Sequence, residues 1–379
     1  MKTSLIDIRS SGAHRDSFTE RVWKGRVEIQ SRSGLNATEK ALIERLPGLR
    51  KSSRVLVLGN RTGVVAMLAA ECLEAADVEV ICLDIHHALT VERNLARNGG
   101  GPVVRVRCQP HIGESEVFDL VLFQVTRGSM TGELMEDFLQ QVHVGLKDKG
   151  RLLIALDVDN RRIAERVKEL FSGCAVELLE KELGVISATK QKKLKKIRNF
   201  EAGFEMTLPG KKSVALRTLP GIFSHRRLDE GALALAEVVE TRPGDTLLDM
   251  GCGCGAIGIA LAANESLEHV TFVDSNVRAM FITEQNARAN GLEHFNVDLS
   301  DQGPSGDRKY SLIVGNPPYF ADYTIAELFI RIARERVLPG GRVYMVAKNA
   351  ERHSALMKEF FGQTEILRRR GYEIARSIA

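Results

Sequence analysis

Around position 250 the chain reads Asp249-Met-Gly251-Cys252-Gly253-Cys-Gly255, a carboxylate followed by three glycines at alternate positions. Glycine tolerates positive φ and lets a ligand approach the backbone closely. The run follows one apolar segment and opens another of helical period, the setting in which such a loop cradles a nucleotide. A second carboxylate, Asp274, ends the next apolar run, where an acidic side chain hydrogen-bonds ribose hydroxyls. The extra carboxylate beside the loop suits a ligand with a cationic centre better than a pyrophosphate. On spacing alone, a plain tight turn is the alternative. Further on, Leu312-Ile-Val-Gly315 runs into Asn316-Pro317-Pro318-Tyr319. Two prolines fix φ and carry no N–H. What that turn offers is an amide side chain, carbonyl acceptors and an aromatic ring able to stack on a planar ligand. The alternative there is a rigid turn with an incidental Tyr.

These residues need elements to hold them, and the chain supplies the pattern twice. Arg54-Val-Leu-Val-Leu-Gly-Asn-Arg-Thr-Gly63 parallels Thr246-Leu-Leu-Asp-Met-Gly-Cys-Gly-Cys-Gly255. Apolar helical stretches follow at 64–70 and 256–263, then apolar runs ending in Asp84 and Asp274. Asn94-Leu-Ala-Arg-Asn-Gly99 parallels Asn286-Ala-Arg-Ala-Asn-Gly291, Phe118–Phe123 parallels Tyr310–Gly315, and Lys149–Ala155 parallels Gly340–Val346, at an offset near 192 throughout. Two copies at that spacing predict two similar domains. Short β-branched runs alternating with helical segments predict βαβ units, an α/β fold with a mostly parallel sheet covered by helices on both faces. The division is expected between 195 and 196. It lies near the basic run Lys190–Arg198 and ahead of a hairpin expected around Pro209-Gly210.

Asn316-Pro317-Pro318-Tyr319, with the glycine loop upstream, resembles the signature of S-adenosylmethionine-dependent amino-methyltransferases. Two tandem copies, the first degenerate, are similar over nearly the whole chain to ribosomal RNA guanine-N2 methyltransferases of the RsmC and RlmG type. Leu219-Pro-Gly-Ile-Phe-Ser-His-Arg-Arg-Leu-Asp-Glu-Gly231 is similar to that group's L-P-G-V-F-S-x-x-x-L-D-x-G segment. The resemblance implies two Rossmann-like class I methyltransferase domains, with S-adenosylmethionine bound by the second. It implies that Asn316, Pro317, Pro318 and Tyr319 hold the guanine and polarise its exocyclic amine. It implies that Asp249, Gly251, Cys252, Gly253 and Gly255 meet the methionine part, and that Asp274 with Ser275 meets the ribose. Asp301, or failing it Asp298, would meet the adenine amine. Phe223, Ser224, Leu228, Asp229, Gly231 and Phe320 would shape the pocket entrance. The sequence departs from the family after the prolines, where Tyr319-Phe320-Ala321-Asp322 replaces a Phe-His-x-Gly type continuation; this bears on the fit of the target. N6-adenine or protein N5-glutamine transfer uses the same motif and is the alternative activity; a non-catalytic RNA-binding assembly factor is the alternative without one.

The first copy lacks the equipment. Val57 stands where Asp249 does, Asn60-Arg61-Thr62 replaces Cys252-Gly253-Cys254, and Gln124-Val-Thr-Arg127 replaces Asn316–Tyr319. Arg61 would fill the ligand's space and repel a sulfonium. Asp84 alone survives. The expectation is that residues 1–195 bind no cofactor and serve RNA recognition or structure, while 196–379 catalyse.

The 379 residues carry 53 Lys+Arg against 49 Asp+Glu, too small an excess to identify a nucleic-acid partner. With 44% hydrophobic and 27% charged residues, a disordered or collagen-like chain is excluded. No apolar run approaches the roughly 18 residues a membrane span needs, and the N-terminal residues lack the apolar core of a secretory signal. No C-x-x-C pair occurs among the 6 Cys, and the 9 His show no ligand spacing, so neither disulfides nor a metal are expected. A cytoplasmic monomer acting on ribosomal RNA or a ribosomal subunit is the expected setting. The run Lys190–Arg198 reads either as a solvated helix face or as a phosphate contact. His225-Arg226-Arg227, Arg368-Arg369-Arg370 and Arg127 also offer cations. Trp23, the only Trp, is expected to pack. The target base must leave any helix to reach a pocket of this kind.

Overall fold

The computed structural model describes residues 18–22, 27–31, 34–59, 61–99, 103–128, 132–180, 182–318 and 323–379. The chain divides into two compact units, Met1–Asn199 and Phe200–Ala379. The division falls after 199 instead of the expected 195 because Arg198 is tied to the first unit. Its N–H donates to Gln140 Oε1 at 2.8 Å and its carbonyl accepts from Gln140 Nε2 at 3.2 Å.

The first unit opens with an antiparallel hairpin of β1 (Phe18–Val22) and β2 (Val27–Ser31). There follow α1 (Ala37–Arg45), β3 (Arg54–Leu58), α2 (Val64–Cys72), β4 (Asp77–Cys82), α3 (Ile85–Arg97), β5 (Val104–Cys108) and β6 (Phe118–Val125). The unit closes with α4 (Gly132–Gly145), β7 (Leu146–Leu156), α5 (Arg161–Phe171), β8 (Ala175–Leu178) and β9 (Gly184–Thr189). Its sheet runs β5-β4-β3-β6-β7-β9-β8. Strand β9 is antiparallel to both of its neighbours and the other pairs are parallel.

The second unit repeats the plan. A hairpin of β10 (Ala202–Met206) and β11 (Val214–Thr218) leads into α6 (Glu230–Val238), β12 (Thr246–Met250), α7 (Ala256–Ala262), β13 (His269–Asp274) and α8 (Val277–Ala289). After these come β14 (Phe295–Leu299), β15 (Tyr310–Gly315), α9 (Thr324–Arg336), β16 (Val337–Ala347), α10 (Glu351–Phe361), β17 (Thr364–Arg369) and β18 (Tyr372–Ile378). The sheet order, β14-β13-β12-β15-β16-β18-β17, matches that of the first unit. Two doubly wound α/β sheets are what the alternating pattern requires.

Strand β12 sits at the reversal of strand order, which is where an open parallel sheet builds its ligand crevice. Its residues alternate between two cores. Leu247 packs with Ile257, Ile259, Phe272 and Val314 beneath α6, α7 and α8. Leu248 and Met250 pack with Ile313, Ile330, Val343 and Met357 beneath α9 and α10. Burial on both faces explains why the strand reads as a nearly continuous apolar run. Asp249 is the exception.

The repeated Asn-x-x-x-Asn-Gly segment has a structural reason. On α8, Asn286 exchanges two hydrogen bonds with the backbone of Arg217, at 2.9 and 2.8 Å. Asn290 does the same with Ala215, at 3.2 and 2.8 Å. Four residues of helix rise about 6 Å, and two residues of strand span about 6.6 Å. Side-chain amides one helical turn apart therefore serve as a surrogate strand for the open edge of β11. In the first unit Asn94 and Asn98 of α3 hold Gln30 and Glu28 of β2 in the same way.

Candidate active site

The carboxyl ends of β12, β13 and β15 converge. In register, Met250 lies beside Val273 and Gly315, so the glycine loop, Asp274 and Asn316 emerge together. Asp249 is fully buried. Its Oδ2 accepts the N–H of Gly258 on α7 at 2.9 Å, and its buried Oδ1 has no hydrogen-bond partner among the described residues. Burial, reinforced by the charge of Asp274 and opposed by the Gly258 bond, pushes its pKa up to about 7.

The loop glycines are required for two reasons. Gly251, Gly253 and Gly255 have φ of 65°, 59° and 82°, a region that costs other residues. A Cβ on Gly251 would stand 2.9 Å from Phe329, and one on Gly255 2.9 Å from both Ile259 and Thr283. Gly253 is different: its nearest side-chain neighbour, Ile222, would lie 3.9 Å away. This glycine leaves open space at the point where a ligand would approach.

The loop is held from behind. Asp274 accepts the Gly253 N–H on one oxygen at 3.0 Å and the Asn276 N–H on the other at 2.9 Å. Thr283 Oγ1 donates to the Gly253 carbonyl at 3.0 Å, and Asn286 Nδ2 to the Cys254 carbonyl at 2.9 Å. Thus Asn286 links the β10–β11 hairpin to the loop. Cys252 and Cys254 are buried, which raises both thiol pKa values, that of Cys254 to about 12. They are small packing residues, not nucleophiles.

The Leu219–Gly231 segment lies against the same strand ends. Arg278, fully buried, donates from Nη1 to the Pro220 carbonyl at 2.8 Å, and Asn276 Nδ2 to the Gly221 carbonyl at 3.0 Å. Phe223 is 60% exposed. Ser224 and Arg226 take φ of 58° and 72°, so this turn carries backbone strain outside glycine. Leu228 packs against the core, and Gly231 is buried in the first turn of α6. Asp229 caps that helix, its Oδ2 accepting from Ala232 N at 2.8 Å, and the same oxygen accepts from Asn316 Nδ2 at 3.0 Å. Behind Asn316, a Cβ on Gly315 would stand 2.7 Å from Met345 Sδ. Pro317 is buried and Pro318 half-buried. Tyr319 and Phe320 lie outside the described residues, as does Trp23.

Ser275 follows Asp274 directly and is half-buried. The Ser300 N–H donates to the Asp274 carbonyl at 3.0 Å, which brings half-buried Asp301 next to the end of β13. One oxygen of Asp298, Oδ2, accepts from both N–H and Oγ of Ser305, at 2.8 and 3.0 Å. Sequence reasoning missed Gly258, Asn276, Arg278, Thr283 and Phe329. Asn286 was visible only as a repeated residue without a role.

Two readings need correction, the place of Asp84 and the helix expected at Lys190–Arg198. In register, β3–β4 pairs Leu58 with Ile81 where β12–β13 pairs Met250 with Val273, so Cys82, not Asp84, occupies the place of Asp274. Asp84 corresponds to Asn276; both cap the following helix, accepting from His86 N and Arg278 N. The first unit therefore has no carboxylate at the position of Asp274 either. Arg61 is exposed. Thr62 turns inward instead, its Oγ1 donating to buried Glu39 at 2.5 Å. Lys190–Arg198 forms no helix. Lys190 is buried, its Nζ donating to the Leu146 carbonyl at 2.6 Å, and Lys193 pairs with Glu116 at 3.1 Å. Arg369 and Arg370 pair with Glu237, Arg368 with Glu373, and Arg127 with Glu182. Among the described residues no group of three His, Cys, Asp or Glu could hold a metal ion, and no helix is long and apolar enough to cross a membrane.

The methyltransferase small domain family matches residues 213–376. Ribosomal RNA small subunit methyltransferase C of Pseudomonas syringae pv. syringae is 35% identical over 155 residues, 39% of this chain and 46% of that protein. Its counterpart in Hahella chejuensis is 34% identical over 156 residues, 40% of this chain and 45% of that protein. The matched stretch thus spans about half the length of these relatives. Among solved structures, the T. thermophilus 16S rRNA N2 G1207 methyltransferase, in complex with AdoMet and guanosine, superposes with a TM-score of 0.76. That superposition covers 96% of this chain and 97% of that one at 21% identity, a likeness of fold.

Proposed function

We propose that this chain, whose residues 213–376 match the methyltransferase small domain, transfers a methyl group from S-adenosylmethionine to the exocyclic N2 of a guanine in ribosomal RNA. The observation that carries this is the convergence of Asn316-Pro317-Pro318 with the glycine loop at adjacent strand ends. The names of the relatives support the small subunit as target. The fold likeness supports the tandem arrangement.

The residues fit the cofactor. Among the described residues Asp249 Oδ1, a buried acceptor, has no hydrogen-bond partner, and Gly253 opens its Cβ side at the loop. When bound, S-adenosylmethionine supplies an electrophilic methyl on a sulfonium. Asp249 and the loop would receive its cationic methionine part, Asp274 its ribose and Asp301 its adenine amine. Asp274 can add a ribose hydroxyl because each carboxylate oxygen accepts more than one hydrogen bond.

The guanine N2 lone pair is delocalised into the ring, which makes it a weak nucleophile. The Asn316 side-chain oxygen and the Pro317 carbonyl can accept its two hydrogens, so the lone pair localises toward the methyl donor. Neither proline offers a competing N–H. Tyr319 would stack on the base plane. The methylated amine is acidic and loses its proton without a dedicated base, so catalysis consists of positioning and polarisation.

The test is transfer of labelled methyl to rRNA, 30S and 50S particles from cells lacking this protein, followed by nucleoside mass identification. N2-methylguanosine in 30S particles is expected, and Asn316→Ala should lose roughly 100-fold or more in kcat while retaining cofactor binding. N6-methyladenosine, or label in protein alone, would overturn the guanine assignment.

A further inference from the structure

We propose that Asp229 is a positioning residue: it sets the orientation of the Asn316 amide and so presents that amide's oxygen to the amine being methylated. The proposal rests on the methyl-transfer reading above. One oxygen of Asp229 accepts both from Ala232 N at 2.8 Å, which caps α6, and from Asn316 Nδ2 at 3.0 Å. The catalytic amide is thereby tied to a helix terminus rather than left to rotate.

A carboxylate accepts hydrogen bonds and donates none. The end of the amide that faces it must be the NH2 group, and amide planarity turns Oδ1 the other way. The reversed amide would set oxygen against carboxylate on one side. On the other it would set NH2 against the NH2 of the base, two donors with no acceptor between them. A charged acceptor on Nδ2 also draws electron density toward Oδ1 and makes it the better acceptor.

The first unit provides the comparison within the same chain. There the helix before the central strand is capped by Asn36, whose Oδ1 accepts from Glu39 N at 2.8 Å and from Thr38 Oγ1 at 2.7 Å. Gln124 stands in place of Asn316. It is 1% exposed, and neither end of its amide finds a hydrogen-bond partner among the described residues. The acidic cap and the held amide occur together in one unit and are missing together in the other.

The test compares wild type, Asp229→Ser, Asp229→Asn, Asn316→Ala and the Asp229→Ser/Asn316→Ala pair in the full chain, on the particles named above. Serine still caps the helix but is too short to reach Asn316 as well. Asp229→Ser should lose about 10- to 100-fold in kcat, the range for a residue that orients another. Its S-adenosylmethionine Kd should change by less than about threefold, roughly 0.65 kcal/mol. Asp229→Asn keeps an acceptor oxygen and should recover most of the rate. On the Asn316→Ala background, Asp229→Ser should have almost no further effect, because the two act as one unit.

An independent reading comes from the Asn316 side-chain NH2 signals in NMR, assigned by their absence in Asn316→Ala. They should be shifted downfield and exchange slowly. Fast exchange at free-amide positions, wild-type kcat in Asp229→Ser, or losses that multiply in the double variant would each overturn the proposal while the methyltransferase stands. A wild-type chain that methylates no RNA overturns the functional reading, and this proposal with it.

Discussion

Asp249 shows how much one buried carboxylate can couple. In the folded chain its pKa is pushed from an ordinary 3.8 up to about 7, mainly by burial. Folding therefore favours its protonated form. Its contribution to stability is fully present below about pH 4 and is lost as the pH rises toward 7. A cationic ligand reverses the preference, because it favours the ionised form. S-adenosylmethionine should then bind more tightly as the pH rises, with Kd falling between about threefold and tenfold from pH 6 to 8. Asp249→Asn should flatten that dependence. Calorimetric titrations at several pH values decide it, and a flat wild-type profile would refute the coupling.

At the scale of elements, the sheet and α7 meet through a matched set of sizes. A Cβ on Gly258 would stand 2.5 Å from Phe272 and 3.0 Å from Asp249 Oδ2. Asp249 and Phe272 are register partners on β12 and β13. In the first unit Val57 and Val80 are the register partners, and Ala66, third in α2 as Gly258 is in α7, takes the glycine's place. The smaller Val80 goes with the larger Ala66. Gly258→Ala should therefore destabilise the chain by about 1–3 kcal/mol through overpacking and weaken cofactor binding. Adding Phe272→Val should recover part of the stability. Thermal unfolding of the two single variants and the double variant tests this; strictly additive losses would count against it. The same helix–strand geometry explains the Asn pairs. Asn286 is 1% exposed and serves three backbone groups, so its loss strands buried polar atoms at about 1–3 kcal/mol each.

At the scale of the whole molecule, two units share a strand order and differ in what stands at the strand ends. Val57, Cys82 and Gln124 replace Asp249, Asp274 and Asn316. The first sheet is the same scaffold without the two carboxylates, and the amide it carries in place of Asn316, that of Gln124, is buried. Calorimetry on the full chain should accordingly find one S-adenosylmethionine per chain. A stoichiometry of two would mean that the first unit binds through groups other than these.

The duplication, the α/β alternation, the glycine loop and Asn316-Pro317-Pro318 were all legible in the sequence, because each depends on local chemistry: turn residues, periodicity and strand-length apolar runs. Partnerships across the sheet were not. Asp84 passed for the counterpart of Asp274 because both follow apolar runs; only the strand register shows that the helix cap and the strand-end carboxylate are two residues apart. The basic run from Lys190 reads as a solvated helix face or a phosphate contact; it forms no helix, its cations from Lys192 to Arg198 are exposed, and only its ends are tied down, by the Leu146 carbonyl and the Gln140 amide. Asp229 and Asn316 lie 87 positions apart, and no local pattern joins them. The sequence by itself determined which residues could do the chemistry. Only the tertiary structure decided which of them hold one another in place, because hydrogen bonds between distant segments form only once the sheet has brought its strand ends together.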